Sequence, residues 1–280
     1  MLELPDLERT QHMLSVSHEL AQRLESAEAA DGSECAEAQA TLHPESGAAV
    51  ISVAGGYAIF LGAASPLTHA LAVGMHGPVT AAELDELEHF YSSRGAPVTL
   101  DVCPHADLSL LELLAARSYR ISEFTNVMVM ALHPEDCFLT EADAGRTRPV
   151  EGSEKELYTD VMVRGFFGRD YVTAEERHLG GVLFHIRGAF PHFALEDGQP
   201  VGAGSVSIRW RVATCFADST LAPFRGKGSH SALIRARLHL AQSRGCDLAT
   251  AGTVPGSGSQ RHYEKLGFQV AYTKATMVKK

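Results

Sequence analysis

Hydrophobic and polar positions along this chain change their period several times, and each change marks an element. Leu7, Leu14, Leu20 and Leu24 fall on or near one side of a helix over Asp6 to Ala29. The small polar stretch 31–47 that follows predicts a loop. Between Ser46 and Ala82 there is no Asp, Glu, Lys or Arg. The apolar run Ala48 to Ala64 is long enough to raise a membrane span. Ser52, the Gly55-Gly56 pair, Gly62 and Ser65-Pro66 interrupt it, so it predicts two or three buried strands joined by turns. Helical spacing returns over Thr80 to Arg94, where Leu84, Leu87, Phe90 and Tyr91 face inward. Thr80 with Glu83 forms a capping box at the start, and Gly95 ends the helix. Val98 to Val102 predicts a strand, Asp107 to Arg117 a helix and Ile121 to Leu132 a strand. The stretch 134–149 is the natural linker.

A second series follows. Glu154 to Gly165 and Thr173 to Gly188 predict helices, and Phe166, Phe167 and Tyr171 between them either line a binding site or, as the simpler reading, belong to the core. His192 to Glu196 and Val201 to Ile208 predict a hairpin turning at Asp197-Gly198. Val212 to Leu221 is the next strand. Leu233, Ile234, Leu238, Leu240 and Ala241 then form the apolar face of a helix that Ser229 can cap. A strand at Leu248 to Ala251 and a short helix ended by Gly267 complete the series.

The two series share one order of elements, which points to an internal duplication. Ser93-Arg94-Gly95 is followed by a strand, Pro104, a helix and Tyr119. Ser243-Arg244-Gly245 is followed by a strand, Pro255, a helix and Phe268. The reading is two copies of one α/β unit, 1–140 and 146–280.

The copies differ where a strand runs into a helix. In the second, the strand end Leu221-Ala222 leads into Arg225-Gly226-Lys227-Gly228, and Ser229-His230 opens the helix. Glycines keep side chains away from the backbone, a helix N-terminus offers free N–H groups, and Arg225 and Lys227 add charge. The product is either a phosphate socket or an ordinary Gly-containing turn before a surface helix. Neither Gly-x-x-x-x-Gly-Lys-[Ser/Thr] nor Gly-x-Gly-x-x-Gly is present. The first copy has Met75-His-Gly-Pro-Val-Thr80 at this place, without Arg or Lys and with Pro78 in place of a backbone donor.

With Arg225-x-x-Gly228 in the loop and Tyr263-x-x-x-Gly267-Phe268 on the later helix, the second half resembles the GNAT superfamily of N-acetyltransferases. His230 departs from the small residue that closes the family's loop pattern, Gly256 stands for its Asn and Ser259 for its Ala. The resemblance implies a tandem, mixed α/β (α+β) fold: two GNAT-like domains, each a twisted mixed sheet flanked by helices, the first degenerate and structural. It implies acetyl-CoA as cosubstrate, held by Leu221, Ala222, Arg225, Gly226, Lys227, Gly228, Ser229 and His230. An amine of a small molecule or peptide would be the acceptor. A strand N–H around Thr220 to Ala222 would stabilise the developing oxyanion, and Tyr263 would protonate the leaving thiolate. Asp218 and Glu196 are the candidates for the base. The alternative is an acyl-CoA-binding sensor or scaffold without turnover.

Composition narrows the field. A formal net charge of −10 argues against nucleic acid as the partner. Five scattered cysteines without Cys-x-x-Cys predict free thiols in a reducing compartment. The 14 histidines show no ligand spacing, so no metal site is expected. The N-terminal stretch lacks a basic region before an apolar one, which predicts a cytoplasmic protein without a membrane segment.

Overall fold

The structure is a computed structural model, and it describes residues 14–279. The first half contains the helix α1 (His18–Leu42), strands β1 (Ala49–Val53), β2 (Gly56–Phe60) and β3 (Ala70–Leu71), helix α2 (Ala81–Ser92), strand β4 (Val98–Val102), helix α3 (Leu108–Ala116) and strand β5 (Arg120–Ala131). The second half contains β6 (Thr147–Pro149), α4 (Lys155–Phe167), α5 (Ala174–Phe184), β7 (Ala189–Glu196), β8 (Gln199–Arg209), β9 (Val212–Thr220), α6 (Ser229–Ser243), β10 (Leu248–Thr253), α7 (Gly258–Lys265) and β11 (Gln269–Lys279). The capping box at Thr80 is present, with the Thr80 side chain accepting from the Glu83 N–H. Such a cap is worth about 1 kcal/mol.

All eleven strands lie in one mixed sheet, in the order β1-β2-β3-β4-β11-β5-β10-β9-β8-β7-β6. The last strand of each half therefore sits among strands of the other. β11 pairs antiparallel with β4 of the first half, and β5 pairs antiparallel with β10 of the second. The exchanged strands also pair with each other.

Helix α1 binds the halves on the sheet face. Ser17 caps it by accepting from the Leu20 N–H at 3.1 Å. Its Ala21, Leu24, Ala27 and Cys35 join an apolar core that includes Ile59 and Leu71 from the first half and Val212 and Leu248 from the second. Polar contacts follow the same path. Arg23 bonds Asp247 at 2.6 Å, Tyr272 donates to Glu25 at 2.8 Å, and Ser207 and Arg209 both bond Asp31. The loop expected at 31–47 is thus helix as far as Leu42, because Asp31 is buried against β8 and not left to solvent. The helix expected over 6–29 begins, within the described residues, at His18; its earlier part lies outside them.

The strands expected at 48–64 are β1 and β2, paired from Ala49↔Phe60 to Val53↔Gly56. Among the described residues no helix is long and apolar enough to cross a membrane, and no group of three or more His, Cys, Asp or Glu is arranged to hold a metal ion. The connecting stretch is held against the second half: Asp143 is buried and accepts two bonds from Arg235 of α6, at 2.8 and 2.5 Å.

Candidate active site

β9 and β10 pair in parallel from Val212↔Leu248 to Cys215↔Ala251 and no further, so the two strands part beyond that point. On its other side β9 carries a bulge. Phe216 faces Ser205 and Ser219 faces Ala203, which leaves Ala217 and Asp218 opposite Gly204. Ala217 takes a positive φ of 58° there. A bulge of this kind bends its strand and re-aims a side chain. The side chain re-aimed is that of Asp218.

The gap opens into a cavity of about 550 Å³. One wall is the end of β9, residues 218–220. A second is the loop and first turn of α6, and a third is the face of α7 that carries Ser259, His262 and Lys265. The end of α4 closes the fourth side with Gly165 and Phe166. Gly165 is required by contact: a Cβ there would lie 2.9 Å from the Thr220 nitrogen and from the Ser219 side chain.

The loop delivers backbone donors into this cavity. Gly228 has φ 86°, a conformation that costs an L-residue about 1–2 kcal/mol, and gives α6 no side-chain cap. The first turn of a helix has no internal acceptors for its N–H groups. Ser229 is 1% exposed, and its Oγ has no partner. Thr220 Oγ1 is likewise buried and unpartnered. Such orphaned donors next to a helix N-terminus suit a phosphate.

The residues expected at the site separate into two groups. Gly226, Gly228, Ser229, His230 and Arg225 line the cavity together with Asp218. Leu221, Ala222 and Lys227 do not. The Leu221 N–H is taken by the Val201 carbonyl at 2.8 Å. Lys227 lays its ammonium 5.0 Å from the centre of the Phe224 ring, and its carbonyl accepts from Arg146 at 2.8 Å. Arg225 serves structure as well as charge: its guanidinium donates to the Thr220 carbonyl at 3.1 Å and to the Gly165 carbonyl at 2.7 Å. Glu196 stands outside the cavity, 3.6 Å from Arg146. Phe166, Phe167 and Tyr171 are exposed and not core; Phe166 lines the cavity, and Arg169 covers the other two with its guanidinium at 4.9 and 4.1 Å.

Behind the cavity lies a buried polar network that periodicity does not announce. Arg237, fully buried on α6, places Nη1 2.5 Å from Asp218 Oδ1 and donates to the Ser205 carbonyl. The Tyr263 hydroxyl donates to Asp218 Oδ2 at 2.5 Å, and His230 Nε2 lies 3.4 Å from the same oxygen. Burial alone would raise the Asp218 carboxyl, but the Arg237 charge and the His230 bond more than reverse this and hold it well below the usual carboxylate range. Burial, then the Asp218 charge, drives the Tyr263 hydroxyl well above the usual phenol range. Tyr263 was expected to hand a proton to the leaving thiolate. Its hydroxyl points at Asp218 instead, the ring is 1% exposed, and Tyr263 is not among the residues lining the cavity. Sequence reasoning missed Arg237, His262 and Arg146. An Arg between Leu233 and Leu238 on an inward face was the available signal for the first.

Residues 160–268 match the model of the acetyltransferase (GNAT) family. Among solved structures, a GCN5-related N-acetyltransferase from Kribbella flavida is 17% identical, with 88% of this chain and 95% of that chain covered at a TM-score of 0.61. A tandem GNAT protein from the clavulanic acid biosynthesis pathway, solved without acetyl-CoA, is 16% identical, with 93% of each chain covered at 0.58. A GCN5-related N-acetyltransferase from Sphaerobacter thermophilus is 16% identical, with 92% of this chain and 93% of that chain covered at 0.55. At these identities the likeness is one of fold, and the fold is the tandem GNAT arrangement. No curated protein matches the chain.

Proposed function

We propose that the second half, 146–280, binds acetyl-CoA and acetylates an amine of a small molecule or peptide, while the first half, 1–140, is structural. The observation that carries this reading is the buried, unpartnered Oγ of Ser229, a residue at the uncapped N-terminus of α6 that lines a cavity between parted strands. Those residues suit a pyrophosphate: Gly226 and Gly228 leave the backbone open, Ser229 to Ser231 present first-turn N–H groups, and Arg225 adds charge. Acetyl-CoA supplies an activated thioester carbonyl. Thr220, next to Leu221 whose N–H is turned to β8, is the strand residue that would offer that carbonyl a donor from the cavity side.

The first half is read as structural for a physical reason. Its loop corresponding to 225–230 is packed shut. Met75 is fully buried, its carbonyl accepts from Gln22 of α1, and the Val79 N–H is taken by Ser109.

The acceptor's amine must be neutral to attack, so something in the cavity must take its proton. Glu196 lies elsewhere, and Asp218 is held by Arg237 and Tyr263 as a stable anion. Neither is a good base. Tyr263 supports Asp218 in this reading and does not itself protonate sulfur.

Thiol release from acetyl-CoA, measured over a panel of polyamines, aminoglycosides and lysine peptides, tests the proposal. Release that depends on one amine class supports it. Tight binding of acetyl-CoA with no release from any amine would leave a sensor or scaffold in its place.

A further inference from the structure

We propose that His230 is the proton-transfer residue of this cavity and that Asp218 is its positioning partner. The proposal deepens the acetyl-transfer reading of the same site and rests on it.

His230 is the second residue of α6, and it lines the cavity, as Tyr263 and Glu196 do not. Its Nε2 lies 3.4 Å from Asp218 Oδ2. An ionised carboxylate only accepts hydrogen bonds, so the Nε2 nitrogen carries the hydrogen. The neutral ring then keeps its lone pair on Nδ1, the nitrogen left for a substrate. A carboxylate that fixes a tautomer and stabilises the imidazolium is the physical basis of paired His–Asp catalysis. Here the carboxylate is itself fixed from two further sides, by Arg237 Nη1 at 2.5 Å and the Tyr263 hydroxyl at 2.5 Å. It has little freedom to turn away from the imidazole.

The groups around His230 come from three elements. Asp218 faces it from β9. Arg237 stands on its own helix, behind that carboxylate. From α7, the His262 ring lies edge-on with centroids 4.9 Å apart, the Tyr263 ring lies at 6.3 Å, and Lys265 lines the same cavity. Burial, then the neighbouring His230, lowers His262, which makes it a neutral neighbour near pH 7. His230 is therefore the ring with an anion against it, and His262 the ring without one.

The step balances without a further reactant. As the acceptor nitrogen bonds to the acetyl carbon, His230 takes the proton that this nitrogen sheds. As the carbon–sulfur bond breaks, its electron pair stays on sulfur and the imidazolium returns the proton there. Nothing is oxidised or reduced, and His230 ends neutral as it began.

The decisive variant is His230→Gln, whose side-chain amide can still donate to Asp218 but cannot carry a proton. Thiol release should fall by about 10²–10⁴-fold, the range for a lost general acid–base group. Acetyl-CoA affinity by calorimetry should be nearly unchanged, and the acid limb of the pH–rate profile should disappear. A second measurement does not depend on turnover. Nitrogen NMR of the histidines should show neutral His230 as the Nε2–H tautomer. Undiminished thiol release by His230→Gln, or an Nδ1–H tautomer, overturns this inference and leaves acetyl transfer standing. A wild-type protein that releases no thiol with any amine overturns acetyl transfer, and this inference falls with it.

Discussion

The Tyr263 hydroxyl donates to Asp218 Oδ2 at 2.5 Å, and that one bond decides what Tyr263 can do. A phenol whose proton is held by a buried anion is a weaker acid than a free one, and burial weakens it further. Tyr263→Phe keeps the ring packed against Phe268, whose centroid lies 4.9 Å away, and removes only the bond to Asp218. Loss of a hydrogen bond to a charged group typically costs about 1.5–3 kcal/mol, so melting temperature should fall. Turnover should fall by less than about tenfold, against the 10²–10⁴ expected if the hydroxyl were the acid. A larger loss of turnover with unchanged melting would restore Tyr263 as the proton donor.

Ser229 separates binding from folding in a different way. Its hydroxyl is buried at the start of α6 with no partner, which is unfavourable in the empty site. Ser229→Ala should leave the melting temperature of the free protein unchanged or slightly raised. Acetyl-CoA affinity should weaken by about tenfold, the equivalent of one hydrogen bond to a charged group. Calorimetry and melting on the same sample check both. Unchanged affinity would remove Ser229 from the phosphate socket.

Much of this site was legible locally, and the rest was not for identifiable reasons. The glycines and charges of 225–228, followed by helical spacing from Leu233, place the loop and α6 without reference to the rest of the chain. The cap at Thr80 was read the same way, and it is formed. α1 beyond Ala29 was hidden because Asp31, Gly32 and Ser33 have the composition of a loop. What keeps Asp31 in a helix is Ser207 and Arg209, far along the chain. The exchange of β5 and β11 was equally hidden. Both strands suit the middle of a sheet, and nothing in their alternation states which neighbour they take. The Asp218 network combines residues from β9, α6 and α7. Its members look like unrelated polar positions until the bulge at Ala217 turns Asp218 towards them.

The packed loop of the first half sets the stoichiometry. Val79 and Met75 fill the space, and Pro78 has no N–H to give. Calorimetric titration with acetyl-CoA should give one site per chain. Two equivalent sites would show that 75–80 opens and would remove the structural role proposed for 1–140.

Glu25 gives the fold a pH dependence that can be read without any ligand. It lies on α1 under β11, with Tyr272 donating to its Oε1 at 2.8 Å and Lys274 Nζ at 3.6 Å. Its Oε2 has no partner, and Lys274 also bonds Glu28. Burial pushes the Glu25 carboxyl up from an ordinary value of 4.5 to about 7; Lys274 offsets part of that, while Glu28 adds to it. The sign follows from proton binding. Between about pH 4.5 and 7 the folded protein holds a proton on Glu25 that the unfolded chain has released, so the contribution of Glu25 to stability falls as pH rises through this window. The carboxylates held low, Asp218 and Asp143, titrate below the window and do not shape it. Glu25→Gln keeps an acceptor for Tyr272 and cannot titrate, while Glu28 still faces Lys274. Urea unfolding of both proteins at several pH values should show the variant gaining on the wild type as pH rises, by on the order of 2–3 kcal/mol at pH 8. Parallel curves would mean that Glu25 ionises in the folded protein as it does in water, with Lys274 cancelling the effect of burial.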